Sequence, residues 1–290
     1  MRVRFGSAGL AALLGVAAGA ACAEPASVAD YMGQPQVKPD ARIVYGAAPA
    51  QVVDLFLPKG RGPHPVVVLL HGGCFEAKYE GLAQTSGIAA DLARRGYAAW
   101  NVEYRKLGEG GAGYPGTFLD VADAVDRLKV EAAGRNLDLT RVVAVGHSAG
   151  GLLALWAASR HRLPSASPLW RADPLRFRAV VSLGGIGDLK AHEAVFNGAC
   201  GDALPRVVDG HYAEVSPAEL LPSGARVVMV HGEHDDVMPP ATGREYAARA
   251  RRAGDGAEAV TLAGAGHFDA MIPTTEAWNE LAAIIARELR

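Results

Sequence analysis

Short apolar segments alternate with amphipathic segments along the chain from about Ile43 to the C-terminus. Runs rich in β-branched residues predict strands over residues 52–57, 65–70, 97–102, around 142, 179–183, 226–230 and 259–262. Apolar residues at helical spacing predict helices over residues 88–95, 118–133, from 152, 243–252 and 275–289. Such alternation is typical of an α/β protein with a mostly parallel sheet and helices on both faces.

Two segments depart from this rhythm. Residues 104–116 are rich in glycine, and residues 189–221 show weak periodicity. Irregular segments of this length in a compact domain are often binding loops or lids, so we expect both at the rim of a site. A solvated surface excursion is an equally good interpretation for the distal half of the second segment.

The first 23 residues have the features of a cleavable secretory signal. Arg2 and Arg4 precede an apolar, small-residue run over 8–21, and Ala21-Cys22-Ala23 follows it. The run is too short for a comfortable membrane span. The sequence thus predicts secretion or export to the periplasm, with residues 24–290 as one catalytic domain. A lipid-modified Cys22 is a weaker alternative, because Gly19 stands where such signals carry a large aliphatic residue.

The composition indicates which classes of binding partner to expect. Half of the residues are hydrophobic, the net charge is −2 and no Lys/Arg run stands out, so neither nucleic acid nor an anionic membrane surface is indicated.

Cys74 and Cys200 would remain after signal removal; they allow one disulfide and do not require it. No CxxC pair and no HExxH motif appears, so we expect neither a metal nor a cofactor. The oligomeric state cannot be read from these features.

The most informative motif is Gly146-His147-Ser148-Ala149-Gly150-Gly151. It stands between a β-branched run and a helical segment, which puts Ser148 on a sharp strand-to-helix turn. Small residues at Gly146 and Gly150 permit that turn, and the serine hydroxyl is presented at the end of the strand. Ser148 is therefore the candidate nucleophile. The alternative is a structural glycine-rich turn with a capping serine.

A second motif, His71-Gly72-Gly73-Cys74-Phe75, directly follows the strand predicted over residues 65–70. In acyl transfer the tetrahedral intermediate carries an oxyanion, which is stabilised by backbone N–H groups aimed at it. We assign these donors to Gly73, Cys74 and Ala149. Glycine at this point lets the backbone approach a substrate closely.

The last two strands each end in a loop with candidate catalytic side chains. Asp235 and Asp236 follow the strand over 226–230, and His267 follows the strand over 259–262 within Gly264-Ala265-Gly266-His267-Phe268. Serine catalysis needs a histidine base held by a carboxylate. We predict His267 as the base and Asp235 as the acid, with Asp236 as its rival. One of the two aspartates is alternatively a cap of the helix beginning near Pro240.

With these motifs the chain resembles the α/β-hydrolase family, in particular an esterase and kynurenine-formamidase-like branch with HGGxW, GxSAGG, GxxDxxVP and GHF segments. The resemblance covers nearly the whole chain after the signal and implies the same three catalytic residues. Phe75 stands in place of the expected Trp, and Met238 in place of the expected Val. Phe75, Tyr114 and His147 are expected to line the substrate pocket.

The sequence thus predicts a serine hydrolase that cleaves small carboxylic esters through an acyl-enzyme. Two alternatives stay open. One is an arylformamidase or other small-amide hydrolase, which would use the same triad on a poorer leaving group. The other is a binding protein on a hydrolase scaffold whose chemistry is vestigial.

Overall fold

The computed structural model describes residues 24–79 and 81–290, and the predicted signal over residues 1–23 lies outside this range. The described chain is built around one eight-stranded sheet. Its strands are β1 (Ala41–Val44), β2 (Val52–Phe56), β3 (His64–Leu70), β4 (Ala98–Val102), β5 (Leu137–His147), β6 (Ala179–Leu183), β7 (Arg226–Gly232) and β8 (Ala257–Leu262).

The strands lie in the order β1-β2-β4-β3-β5-β6-β7-β8. β2 pairs antiparallel with both β1 and β4, whereas every pair from β4 through β8 is parallel. The carboxyl ends of the parallel strands therefore meet at one edge of the sheet, where the loops after β3, β5, β7 and β8 converge. This edge is where open α/β sheets place their ligand sites.

Nine helices are described. They are α1 (Val28–Met32), α2 (Ser86–Arg94), α3 (Gly116–Glu131), α4 (Ala149–Ser159), α5 (Glu193–Cys200), α6 (Ala203–Val208), α7 (Tyr212–Val215), α8 (Pro240–Ala253) and α9 (Glu276–Glu288). Among the residues that the structure describes, no helix is long and apolar enough to cross a membrane.

The central strands of the sheet are buried on both faces, which explains their continuous apolar runs. In β3 the side chains alternate: Val66, Val68 and Leu70 pack into the core on one face, and Val67 and Leu69 into the core on the other. Every residue of α4 is buried, as expected of a helix that carries Leu, Ala and Trp on all sides. The predicted α/β class is confirmed.

The interpretation of residues 189–221 as irregular was wrong in part, because the segment contains α5, α6 and α7. These helices have 8, 6 and 4 residues, too few to produce a recognisable helical period. They are stabilised by burial of side chains such as Phe196, Leu204 and Val207. Residues 104–115, in contrast, form turns with a single bridge between Leu107 and Glu76.

Candidate active site

Ser148 occupies the turn between β5 and α4 with a left-handed backbone, φ 54° and ψ −120°. A Cβ added to Gly146 would lie 1.9 Å from the Gly150 carbonyl oxygen, and one added to Gly150 would lie 2.1 Å from that of Leu70. Both glycines are thus required by the close approach of three backbone segments. The Ser148 amide donates to the Leu183 carbonyl oxygen at 2.8 Å, which ties the turn to the neighbouring strand β6.

His267 and Asp235 form a buried pair at the same edge of the sheet. The Nδ1 of His267 and the Oδ2 of Asp235 are 2.8 Å apart, and their side chains are only 3% and 1% exposed. The other carboxylate oxygen accepts hydrogen bonds from the amides of Val237 at 3.1 Å and Met238 at 2.7 Å. The loop after β7 therefore fixes the orientation of the carboxylate before it meets the imidazole.

The charge state of this pair follows from its surroundings. Burial alone would raise the pKa of Asp235, but the hydrogen bond and charge of His267, together with the Met238 amide, lower that pKa below its ordinary value. Asp235 is therefore ionised near neutral pH and accepts a hydrogen bond from the Nδ1–H group of His267. In a neutral imidazole this leaves Nε2 free of hydrogen and able to accept a proton.

The structure distinguishes Asp235 from its neighbours. Asp236 is exposed, and α8 has no side-chain cap at its N-terminus, so neither aspartate caps that helix. Glu233 accepts a hydrogen bond from the Gly264 amide at 2.9 Å and joins the loops after β7 and β8. Of the two candidate acids, Asp235 is the one hydrogen-bonded to His267.

Gly184, which sequence reasoning did not single out, leaves room for the pair. Its φ is 54°, and an added Cβ would lie 2.8 Å from a ring carbon of His267 and 3.1 Å from Oδ2 of Asp235. The available signal was Gly184-Gly185 directly after strand β6, at the edge where the other motifs converge.

The segment after β3 turns sharply, with φ 100° at Gly73 and 52° at Cys74. Within the described residues, the amides of Gly73, Cys74 and Ala149 donate no intramolecular hydrogen bond. Gly73 and Cys74 line the same cavity as Ser148, and Ala149 follows Ser148 as the first residue of α4.

A buried network holds the start of this segment. The Nε2 of His71 lies 2.8 Å from Glu103 Oε1, which also accepts from Lys106 Nζ at 2.8 Å. Burial alone would raise the pKa of Glu103, but His71 and Lys106 hold it well below the ordinary value. The Tyr104 ring stacks on His71 at 4.2 Å, and its hydroxyl donates to the His71 carbonyl oxygen at 2.7 Å. His71 therefore supports the loop that follows β3.

Cys74 and Cys200 form a disulfide with 5.4 Å between their Cα atoms, which the sequence had left open. The bond joins the loop after β3 to the last residue of α5. Because Ala199 beside it also lines the cavity, the disulfide connects two walls of the site.

The cavity at this edge has a volume of about 320 Å³ and contains five of the predicted site residues. They are Gly73, Cys74, His147, Ser148 and His267. Burial, together with the neighbouring His267 ring, lowers the pKa of His147 to about 3, so it is neutral. Its Nε2 lies 3.0 Å from the His267 carbonyl oxygen and donates a hydrogen bond to it. This bond supports the histidine loop, the segment after β8 that carries His267.

Two residues predicted for the pocket lie elsewhere. Phe75 is fully buried in the core against Phe196, because its left-handed backbone, φ 60°, turns the side chain inward. Tyr114 stacks on His211 at 3.7 Å and donates to Glu214 at 3.2 Å, outside the cavity lining. Loop conformation decides both positions, and the sequence pattern does not report it.

Several wall residues were missed. Val28, Tyr31 and Met32 of α1 line the cavity, as does Phe268 beside the candidate base. The GHF segment contains Phe268, but α1 has only five residues and no detectable period.

The described residues contain no group of three or more His, Cys, Asp or Glu that could hold a metal ion.

A sequence-family profile, BD-FAE, matches residues 53–249, which is more than half of the chain. The chain belongs to the BD-FAE family. The curated relative esterase LipC of Mycobacterium tuberculosis is 26% identical to this BD-FAE protein over 246 residues, which are 79% of this chain and 59% of LipC. The chain thus spans about three fifths of the length of that relative.

Solved structures resemble this BD-FAE chain over most of its length. A truncated carbohydrate esterase from gut microbiota superposes with a TM-score of 0.71 at 18% identity, covering 87% of this chain and 97% of the other. Esterase B of Lactobacillus rhamnosis, inhibited by a tributyrin phosphonate, gives 0.72 at 18% identity, with 88% and 87% covered. At these identities the likeness establishes the fold, and it confirms the predicted α/β-hydrolase architecture.

The two aspartates can be tested against each other. We expect Asp235→Asn to lower kcat for p-nitrophenyl acetate by a factor on the order of 10⁴, because an amide neither holds His267 in the required tautomer nor stabilises its charged form. Asp236→Asn makes the same chemical change at an exposed position and should leave kcat near the wild-type value. The reverse ranking would transfer the acid role to Asp236.

The disulfide should stabilise the fold. It closes a loop with a sequence separation of 126 residues, so we expect Cys200→Ser to lower the free energy of unfolding by about 2–5 kcal/mol, measured by urea denaturation. Cys74→Ser should have a similar effect, and the double variant should cost no more than either single change. A wild-type unfolding curve unchanged by reducing agent would contradict this expectation.

Proposed function

We propose that this BD-FAE protein is a serine hydrolase that cleaves small carboxylic esters through an acyl-enzyme. The observation that carries the proposal is the buried His267–Asp235 hydrogen bond of 2.8 Å at the rim of the cavity that Ser148 also lines. A positioned base, an ionised acid and a nucleophile on a strained turn are the parts that acyl transfer by serine needs.

The proposed mechanism assigns one task to each group. Nε2 of His267 takes the proton from the Ser148 hydroxyl as its oxygen attacks the ester carbonyl carbon. The amides of Gly73, Cys74 and Ala149 donate to the oxyanion, and their lack of other hydrogen bonds among the described residues supports this role. The charged His267 then protonates the departing alcohol, and water hydrolyses the acyl-enzyme with His267 again as base.

The comparisons support ester cleavage. The curated relative LipC is named an esterase, and the similar solved structures include a carbohydrate esterase, esterase B and a propionate-bound esterase of Thermogutta terrifontis. None of these names identifies the natural alcohol or acyl group of this chain. The cavity, about 320 Å³, is consistent with a small-molecule substrate.

A kynurenine-formamidase-like activity is the second candidate, favoured by the motif resemblance around Ser148 and His267. It needs the same triad with stronger protonation of an amine leaving group. Relative turnover of N-formylkynurenine and phenyl acetate separates the two activities directly. A vestigial binding protein is the third alternative, and the intact hydrogen bond between Asp235 and His267 argues against it.

We also propose that the protein acts outside the cytoplasm, in the periplasm or after secretion. The signal-like features of residues 1–23 are the first support. The second is the Cys74–Cys200 disulfide, because such bonds persist chiefly in oxidising compartments.

Ser148→Ala tests the nucleophile. We expect at least about a 10⁴-fold loss of kcat on p-nitrophenyl acetate, since neither attack nor an acyl-enzyme is possible without the hydroxyl. A fluorophosphonate probe should label the wild-type protein at Ser148 and leave the variant unlabelled. Circular dichroism serves as the control for folding. Retained hydrolysis by a folded variant would refute the assignment.

A further inference from the structure

The short helix α1 belongs to the catalytic cavity although it precedes the region matched by the BD-FAE profile. That region begins at residue 53, and α1 covers Val28–Met32. Ser27 and Asp30 form a capping box, in which the Asp30 amide donates to the Ser27 hydroxyl at 3.2 Å and the Ser27 amide to Asp30 Oδ2 at 2.9 Å. The capping box therefore satisfies two backbone N–H groups at the N-terminus of the helix.

α1 is attached to the loop that carries the candidate base. The Ala26 amide donates to Asp269 Oδ2 at 3.0 Å, and the same oxygen accepts from the Gly266 amide at 2.8 Å. Asp269 therefore joins the N-terminal segment to the residue directly before His267.

Tyr31 makes the main contact of α1 with the cavity wall. Its side chain is 3% exposed and stacks on Phe268 with ring centroids 5.5 Å apart. It meets the His147 ring edge-on at 5.7 Å, and its hydroxyl donates to Gln84 at 3.0 Å. Val28 and Met32, four residues apart and so on one side of the helix, line the same cavity.

The position of α1 relative to His267 identifies the part of the substrate that it faces. In ester hydrolysis the leaving alcohol receives its proton from the base, so its oxygen must come within hydrogen-bond reach of His267 Nε2. The alcohol therefore lies on the side of the histidine loop, to which α1 is attached. Ala199 near the end of α5 also lines the cavity, and the neighbouring Cys200 is bonded to Cys74 in the loop after β3.

The chemistry of this wall is apolar. Val28, Tyr31, Met32 and Phe268 contribute hydrocarbon and aromatic surface, and no Asp, Glu, Lys or Arg is among the described residues that line the cavity. A charged alcohol would lose hydration there, and the described lining offers it no side chain of opposite formal charge.

We propose that α1 and Phe268 form the wall of the leaving-group subsite, which selects esters of uncharged, apolar or aromatic alcohols. The inference rests on the proposed ester hydrolysis. It makes Val28 and Met32 specificity-determining residues for the alcohol and not for the acyl group.

Isosteric ester pairs that differ only in charge test this assignment. Acetylcholine and 3,3-dimethylbutyl acetate differ in the alcohol, whereas glycine betaine methyl ester and methyl 3,3-dimethylbutanoate differ in the acyl group. We expect the wild type to prefer the neutral member of the alcohol pair. Val28→Glu and Met32→Glu should each raise the kcat/KM ratio of acetylcholine to its neutral isostere by about threefold, as an added carboxylate attracts the cation.

Val37→Glu is the matched control. Val37 is likewise a partly exposed valine of the N-terminal segment, 40% against 50% for Val28, but it does not line the cavity. The Val37→Glu variant adds the same charge and should leave the kcat/KM ratios of both ester pairs unchanged. Val28 is the first residue of α1, where a carboxylate interacts favourably with the helix dipole, so Val28→Glu should fold.

The outcomes separate the two proposals. A change confined to the alcohol pair in Val28→Glu and Met32→Glu supports the subsite. A change in the acyl pair instead, equal changes in Val37→Glu, or no change at all would overturn it while leaving ester hydrolysis intact. A wild-type protein that cleaves p-nitrophenyl acetate but none of the four esters would overturn the subsite alone, and one that cleaves none of the five would refute the proposed function and this subsite with it.

Discussion

The strained turn at Ser148 is the constraint on which the site depends. A serine with positive φ costs on the order of 1–3 kcal/mol of backbone strain, and it persists only where surrounding interactions hold the backbone in that conformation. Here the Ser148 amide is bonded to β6, its carbonyl oxygen accepts from the Gly151 amide at 2.9 Å, and Gly150 packs against the Leu70 carbonyl at the end of β3. Three adjacent parallel strands thus hold the turn, and their loops bring the other groups to it.

The charge around His267 is determined by the carboxylate of Asp235 and by two imidazoles, His147 and His231, that stay neutral. Burial lowers the pKa of His147 to about 3 and that of His231 to about 4, so neither adds positive charge near neutral pH. Among the described residues, Asp235 is the ionised group that is hydrogen-bonded to the His267 side chain. A proton taken up by His267 is stabilised by that carboxylate without a competing cation beside it, which is what a base that becomes charged during the reaction requires.

The sequence predicted those parts of the fold that depend on burial. Strand β6 is buried throughout and β3 from Val66 to Leu70, so their apolar runs reveal them. The candidate catalytic motifs follow at strand ends, where a parallel sheet must bring them together. What it missed depends on loop path and long-range contact. Phe75 turns inward because three successive residues, Gly73, Cys74 and Phe75, adopt positive φ, and α1 reaches the site in part through the contact of Tyr31 with Phe268, more than 200 positions along the chain.

The segments outside the matched region complete the site. The BD-FAE profile ends at residue 249, so it includes Ser148 and Asp235 but neither His267 nor α1. These two flanks are joined to each other, through Asp269 to Ala26 and through Phe268 to Tyr31. The flank that carries the base is therefore held in part by the flank that carries α1. Since the proposed mechanism brings the candidate base to the leaving group, the proposed subsite assigns the N-terminal segment to the alcohol, whereas the candidate nucleophile and acid lie within the region matched by the profile.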